Sequence, residues 1–413
     1  MKRTLHVILA LLLAGSAFFL GGWAARIRRG VTVEGVPVGG MTYAEARTSV
    51  RAQLDRVPLI VHTPTGDVTP RVVYEDDLDS ILRHAKRGGS YAVTVRRELP
   101  DAEEFLADVC AENVLAPQDA TLTFSRRGFE YSRERAGRYC DFAASLSALL
   151  TALREGARET SLVTRLWAPS VTEAQLRART RRLSSFSTSF DAGRTARVHN
   201  ISLACERITG TVLAPGEEFS FNRAVGERTR ANGFLDAPVI VAGEFVEGTG
   251  GGVCQASTTL MGAALRAGLR VTESRPHSLL VGYVPPSQDA MVSRYSDLRF
   301  VNPYAVPVYL LGRTGEGRVT FEVYGLPDGK IYSPESCVLE RIAPPPAEIV
   351  EGDEEKVLRA EKAGLRSECY LVVKAADGRE LGRTLFRRDR YACVQGKRQI
   401  VSARPTSPEN APA

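Results

Sequence analysis

The chain has no H-E-x-x-H and no C-x-x-C, so the commonest frameworks for a zinc ion are missing. It also lacks a G-x-x-x-x-G-K-[ST] loop, and the run Gly250-Gly251-Gly252 alone is a weak phosphate signal. Neither a metal nor a cofactor is expected. The net charge of +6 comes from scattered arginines, with no basic block longer than a few residues and no aromatic-plus-basic motif. Nucleic-acid binding is therefore excluded, and the charge reads as mild affinity for an anionic surface such as lipid headgroups or acidic wall polymers. Glu206, Glu217 and Glu218 do not form an isolated carboxylate pair, which argues against glycoside hydrolysis.

What is present points to a multidomain protein outside the cytoplasm. A length of 413 residues exceeds one ordinary core, and the composition is that of a folded globular chain. Lys2 and Arg3 precede an apolar run over residues 5–25, followed by Arg26, Arg28 and Arg29. That run is long enough for a bilayer-spanning helix, which needs ~20 residues. It is longer than the apolar region of a cleaved signal peptide. Residues 1–30 are thus expected to be a retained single-pass anchor, with the bulk of the chain extracytoplasmic. Seven cysteines, an odd number, imply some pairing and at least one free thiol in an oxidising compartment.

The most informative stretch is Gly250-Gly251-Gly252-Val253-Cys254-Gln255-Ala256-Ser257-Thr258-Thr259-Leu260. The glycines lead into a helical stripe of Leu260, Met261, Ala264 and Leu265, with Gly268 where a C-terminal cap belongs. Cys254 then sits at a helix N-terminus, where the dipole and free N–H groups favour thiolate. His277 and Asp289 follow, so nucleophile, base and orienter occur in that order. Gly250, Gly251 and Gly252 could offer N–H donors to an oxyanion, and the amide of Gln255 could assist. The other reading is equally physical: a buried thiol packed as a small hydrophobe, glycines that let backbones approach, and loop residues His277 and Asp289. His199 could replace Asp289 as orienter, or simply make a structural hydrogen bond at a helix start beside Asn200. Ser257-Thr258-Thr259 fit the first turn of the helix, bonding backbone groups.

Ahead of this stretch, residues 31–168 read as one α+β unit. A capping box at Thr42 and Glu45 opens a helix, further helices follow near Leu78, Phe105 and Phe142, and a hairpin pattern spans 120–132. The Gly35-Val36-Pro37-Val38-Gly39-Gly40-Met41-Thr42 opening and the Phe129, Gly137-Arg138, Asp141 pattern resemble a peptidoglycan-binding domain family. A linker helix is expected over 169–184. Residues 185–333 contain Arg197-Val198-His199-Asn200-Ile201, Gly210-Thr211-Val212-Leu213-Ala214-Pro215-Gly216-Glu217, Phe219-Ser220-Phe221-Asn222, the Cys254 stretch and His277-Ser278 with Tyr283-Val284-Pro285. Together these are similar to the VanW domain. Strands are expected at 271–274 and 279–284, with a hairpin at 306–324. Residues 334–404 read as a small β-rich module and 405–413 as an unstructured tail.

The expectation is therefore an α+β, multidomain, membrane-anchored protein with a small β-rich C-terminal module. The VanW resemblance implies an envelope role, since such proteins occur in vancomycin-resistance clusters and as anchored envelope proteins, and it implies no particular reaction. Peptidoglycan or wall precursors are the expected partners, with binding or remodelling of the wall as the function. A cysteine-dependent acyl-transferase or amidase acting on stem peptides through Cys254 and His277 is the alternative. Asn200, Gln255, Ser257 and the three glycines are the expected ligand-binding residues.

Overall fold

The computed structural model of the chain describes residues 25–54, 56–241 and 244–401. The expected anchor, apart from its last residues, and the expected tail lie outside them. Among the described residues no helix is long and apolar enough to cross a membrane. The fold is mixed and strand-rich, with several small sheets and eight helices among the described residues.

The chain divides into two compact units. One comprises residues up to Asp119 with Arg135–Ser170, the other Ala120–Glu134 with everything from Val171 onward. In the first unit α1 (Tyr43–Arg51) begins with the Thr42–Glu45 capping box and buries Ala46 and Val50 against α2 (Leu78–His84). Helices α3 (Ala102–Glu112) and α4 (Phe142–Glu155) pack around Leu59, Val61, Leu149 and Leu153. A disulfide joins Cys110 of α3 to Cys140.

The hairpin Leu122–Ser125 and Gly128–Tyr131 belongs to the second unit, where Phe124 and Phe129 pack edge-on against Tyr309 at 4.9 and 5.1 Å. This departs from the sequence reading, which kept it with residues 31–168. Its aromatic face finds its partners almost two hundred residues downstream, beyond the reach of a local pattern. Helix α5 (Glu173–Ala178) carries a second capping box, Thr172 with Gln175, ahead of the strand Arg181–Ser189.

That strand is one edge of a four-stranded antiparallel sheet, followed in order by Arg318–Gly325, Val308–Gly315 and Thr211–Leu213. Two helices lie on the sheet: α6 (Thr195–Ile208) and α8 (Val253–Arg266). Gly262 lets α8 approach the ring of Phe186, and Ser184 donates to Ala263 O at 2.8 Å. Between them α7 (Phe221–Val225) starts on a Ser220 cap. The helix begins at Thr195, a turn earlier than His199-Asn200 implied, which buries Asn200 inside its first turns.

Residues 279–284 form no strand. The segment between Glu273 and Arg299 is irregular, and side-chain bonds replace a ladder in holding it. The C-terminal residues form two three-stranded sheets. In the larger, Gly364–Ala375 runs between Lys330–Ile342 and Glu380–Tyr391. Contacts place this module in the same unit as the α6–α8 core.

Candidate functional site

Helix α8 is buried on all sides: from Val253 to Leu265 every residue but Cys254 is sealed. Polar side chains there must find partners, because an orphaned buried donor or acceptor costs roughly 1–3 kcal/mol. They do. Thr259 shares a 2.7 Å hydrogen bond with Thr188. Gln255, 2% exposed, donates to Thr188 Oγ1 and Ser189 O at 3.0 and 2.8 Å and accepts from Arg197 Nη2 at 2.8 Å. Ser257 donates to Ala290 O at 2.6 Å, and Thr258 accepts from Ala290 N at 2.9 Å. The polar run after the cysteine thus ties the helix to a neighbouring strand and to the segment carrying Asp289. Each of these groups already has a partner within the protein. The amide expected to assist a nucleophile holds an arginine instead.

The glycines are explained the same way. A Cβ on Gly251 would stand 2.5 Å from Ala237 O, and one on Gly252 would stand 2.9 Å from Arg197 Cγ. Gly252 also has φ +106°, where a side chain is strained. What approaches these glycines is the protein's own backbone and two arginine stems. Asn200 closes the turn, donating to Gly251 O and Leu235 O at 3.0 and 2.9 Å and accepting from Leu235 N at 2.8 Å.

Cys254, at the start of α8, is the exception that is only half-buried. Its sulfur accepts from Val292 N at 3.5 Å and lies 3.4 Å from Val292 O. His277, 6% exposed, comes to it from the irregular segment. The other face of that imidazole is fixed: His277 Nδ1 lies 2.6 Å from Asp289 Oδ2, and the backbone N–H of His277 donates to the same oxygen at 2.6 Å. Asp289 is 1% exposed and accepts two more bonds, from Tyr391 Oη at 2.5 Å and Arg387 Nη2 at 3.0 Å. Both donors belong to the C-terminal module.

The electrostatics follow from these contacts. Burial opposes the Cys254 thiolate, yet the hydrogen bond and charge of His277, the Val292 N–H and the charge of Arg228 together draw the thiol below its ordinary value. Burial also opposes imidazolium, but Asp289 and then Cys254 outweigh it and lift His277 to about 9. The contacts thus bias Cys254 towards thiolate and His277 towards imidazolium. Asp289, despite burial, stays below the ordinary carboxyl range because His277 and Tyr391 bond to it. Cys205, by contrast, is sealed under Gly312, and burial pushes its thiol to about 12.

Of the expected catalytic residues, three meet. His199 does not join them: it is exposed, its Nε2 bonding Gly233 O at 2.8 Å, and among the described residues it has no contact with Cys254, His277 or Asp289. Five residues at the site went unnoticed in the sequence, namely Arg197, Arg228, Tyr283, Arg387 and Tyr391. Tyr283, half-buried, keeps its phenol protonated through burial and the neighbouring Cys254 charge. Arg197 and Tyr283 lay inside stretches already quoted, which was the available signal. Among the described residues no three His, Cys, Asp or Glu side chains group to hold a metal ion. A recess of about 550 Å³ lined by Phe190, Val198, Thr314 and Glu316 is separate from Cys254.

Residues 196–324, which hold Cys254, His277 and Asp289, match the family described as "VanW like protein". The chain carries a VanW domain. Residues 69–161 match the family described as "Putative peptidoglycan binding domain", so that module precedes the VanW domain. Over 146 residues the chain is 43% identical to "Uncharacterized protein YoaR" of Bacillus subtilis (strain 168), covering 35% of this chain and 48% of that one. Over 81 residues it is 31% identical to "Vancomycin B-type resistance protein VanW" of Enterococcus faecalis (strain ATCC 700802 / V583), covering 20% and 30%. The chain thus spans about half the length, or less, of these curated relatives. The VanW domain does not stand alone around Cys254, since Arg387 and Tyr391 lie beyond its matched boundary.

Proposed function

We propose that this is a cell-wall protein whose VanW domain carries out cysteine-dependent acyl transfer or amide hydrolysis on the peptide part of peptidoglycan. The observation that carries the reading is the half-buried Cys254 at the N-terminus of a buried helix, paired with a histidine whose far nitrogen is held by a buried carboxylate. Nucleophilic catalysis needs that constellation: a low-pKa thiol, a base in reach, and an orienter. The wall as target rests on the two family matches. A disulfide in the first unit fits an extracytoplasmic site of action, and the apolar run over residues 5–25 fits anchoring to the membrane.

In this mechanism the Cys254 thiolate attacks the amide carbonyl carbon, whose π electrons move to oxygen. Collapse breaks the C–N bond, and His277 gives its proton to the departing amine, leaving a thioester on Cys254. His277, now neutral, takes a proton from water or from an incoming amine. That nucleophile attacks the thioester, and thiolate leaves as imidazolium is restored. Asp289 holds the ring by its Nδ1–H and stabilises its charge in both protonated stages. Binding of wall by residues 69–161 without chemistry is the second reading, supported by that module's family match.

Intact sacculi incubated with the purified chain and with its Cys254→Ala variant separate the two. Released or newly joined muropeptides with the parent alone support catalysis. Equal pelleting of both proteins, with no product from either, leaves binding as the function.

A further inference from the structure

Two guanidinium groups flank the thiol, and neither has a carboxylate partner among the described residues. Arg197 lies with its stem against Gly252, and Arg228 with its stem against Gly250, so the pair brackets the turn that delivers Cys254. Both side chains are largely withdrawn from water. Each is steered by one neutral acceptor: Arg197 Nη2 donates to Gln255 Oε1 at 2.8 Å, and Arg228 Nη2 donates to Asn222 Oδ1 at 2.5 Å. Those acceptors are themselves locked, Gln255 by Thr188 and Ser189, Asn222 by Ser293 O and Ser296 O at 3.0 and 3.1 Å. A guanidinium has five donors, and a desolvated one is costly unless an anion answers it. Elsewhere in this unit the buried Arg387 meets Asp289 and Asp389, whereas the half-buried Arg207 and Arg266 rely on backbone carbonyls and the faces of Phe234 and Phe186.

Counting charges around the thiol gives the same picture. With Cys254 as thiolate and His277 as imidazolium, the four cations His277, Arg387, Arg197 and Arg228 face the three anions Cys254, Asp289 and Asp389, so one positive charge is in excess. Asp297, which acts on Arg228 from farther off, is already paired with Arg299. We propose that Arg197 and Arg228 form a carboxylate-recognition site, and that the acyl-transfer substrate is a peptide with a free carboxylate within about one residue of the scissile amide. Planar guanidinium matches carboxylate with two parallel bonds, which would fix the register of the peptide over Cys254. This assignment of substrate class rests on the proposed covalent role of Cys254. It excludes amides buried in the middle of an uncharged peptide run.

Iodoacetate and iodoacetamide test this without any need for turnover, since they alkylate the same thiolate and differ in carrying a carboxylate. Rates at Cys254 are followed by mass spectrometry in the purified full chain, in Arg228→Gln and in Arg228→Lys, with Cys205 as the internal sealed thiol and a short cysteine peptide as reference. The expected result is an iodoacetate-to-iodoacetamide rate ratio on the order of tenfold above that of the peptide, collapsing in Arg228→Gln and at high salt. Arg228→Lys, which keeps the charge, retains most of it. If Cys254 reacts quickly with both reagents and shows the peptide's ratio, the carboxylate site is wrong while the catalytic thiol stands. A preference that survives in Arg228→Gln overturns the assignment to this residue pair. If neither reagent modifies Cys254 faster than Cys205, the proposed covalent role fails, and this inference with it.

Discussion

Replacing Asp289 by Asn changes one atom of a side chain that four donors address: His277 N, His277 Nδ1, Tyr391 Oη and Arg387 Nη2. An amide has one oxygen and no charge to answer them. The lift of His277 from 6.5 to about 9 corresponds to roughly 3 kcal/mol in favour of imidazolium at 1.36 kcal/mol per pKa unit. The bond to Asp289 is the larger supporting contribution and that to Cys254 the smaller. Assigning about 2 kcal/mol to Asp289, its loss lowers the ratio of ion pair to neutral pair by roughly thirtyfold. Alkylation of Cys254 by iodoacetamide at pH 7 should slow, by up to about that factor. Stability should also fall, by ~3–5 kcal/mol, because His277 loses its buried counter-charge and Arg387 is left with Asp389 alone. Denaturant unfolding measures the second effect, and alkylation well below the transition measures the first. An Asp289→Asn variant that folds and alkylates at the parent's rate would refute the reasoning, since the thiolate would then owe nothing to the histidine–aspartate pair.

Three other outcomes follow from the same contacts. Tyr391→Phe removes a donor from Asp289 and an acceptor from Ser287 N, whose bond is 2.8 Å; alkylation should slow several-fold and unfolding should cost about 2 kcal/mol less, by urea titration. Gly252→Ala forces a Cβ against Arg197 and Ile201 at a φ of +106°, so a loss of ~1–3 kcal/mol with slower alkylation is expected from the same two assays. The third concerns pH. The raised His277 alone contributes stability that is full below 6.5 and lost as pH rises towards about 9, whereas the lowered Cys254 contributes stability present above its ordinary 9.0 and lost on acidification through its folded value. Between 6.5 and 9 the falling contribution of His277 is opposed by that of Cys254, so unfolding free energy should vary less with pH than His277 alone would make it. Cys254→Ala should expose a decline with rising pH over that window, as far as Asp289 alone keeps His277 raised. Turnover, which needs imidazolium as acid, should fall above about 9 while alkylation does not.

Much of this site could be seen in the sequence because short-range rules governed it. The capping box at Thr42 formed where its spacing implied, and Gly268 takes φ +72° just beyond α8. Cys254, His277 and Asp289 lie within 36 residues of chain, and their order hinted at their roles. What escaped was set by distant partners. Nothing near Tyr391 or Arg387 in the chain announces a carboxylate about a hundred residues earlier. Arg197 and Arg228 stand among 54 lysines and arginines, and only burial distinguishes them. The strand expected over 279–284 failed because its apolar residues pack as a loop pinned by side chains, with no ladder neighbour. His199 looked promising by type, yet the helix turns it outward and the buried position passes to Asn200.

The central claim is that Cys254 forms a covalent acyl intermediate with wall peptide. Mixing the purified chain with sacculus-derived muropeptides, quenching in acid within seconds and mapping the Cys254 peptide by mass spectrometry tests it directly. The expected result is a thioester adduct of stem-peptide mass on Cys254, cleaved by hydroxylamine and absent in Cys254→Ser. Unmodified Cys254 at every quench time, beside muropeptides that are consumed all the same, would contradict it.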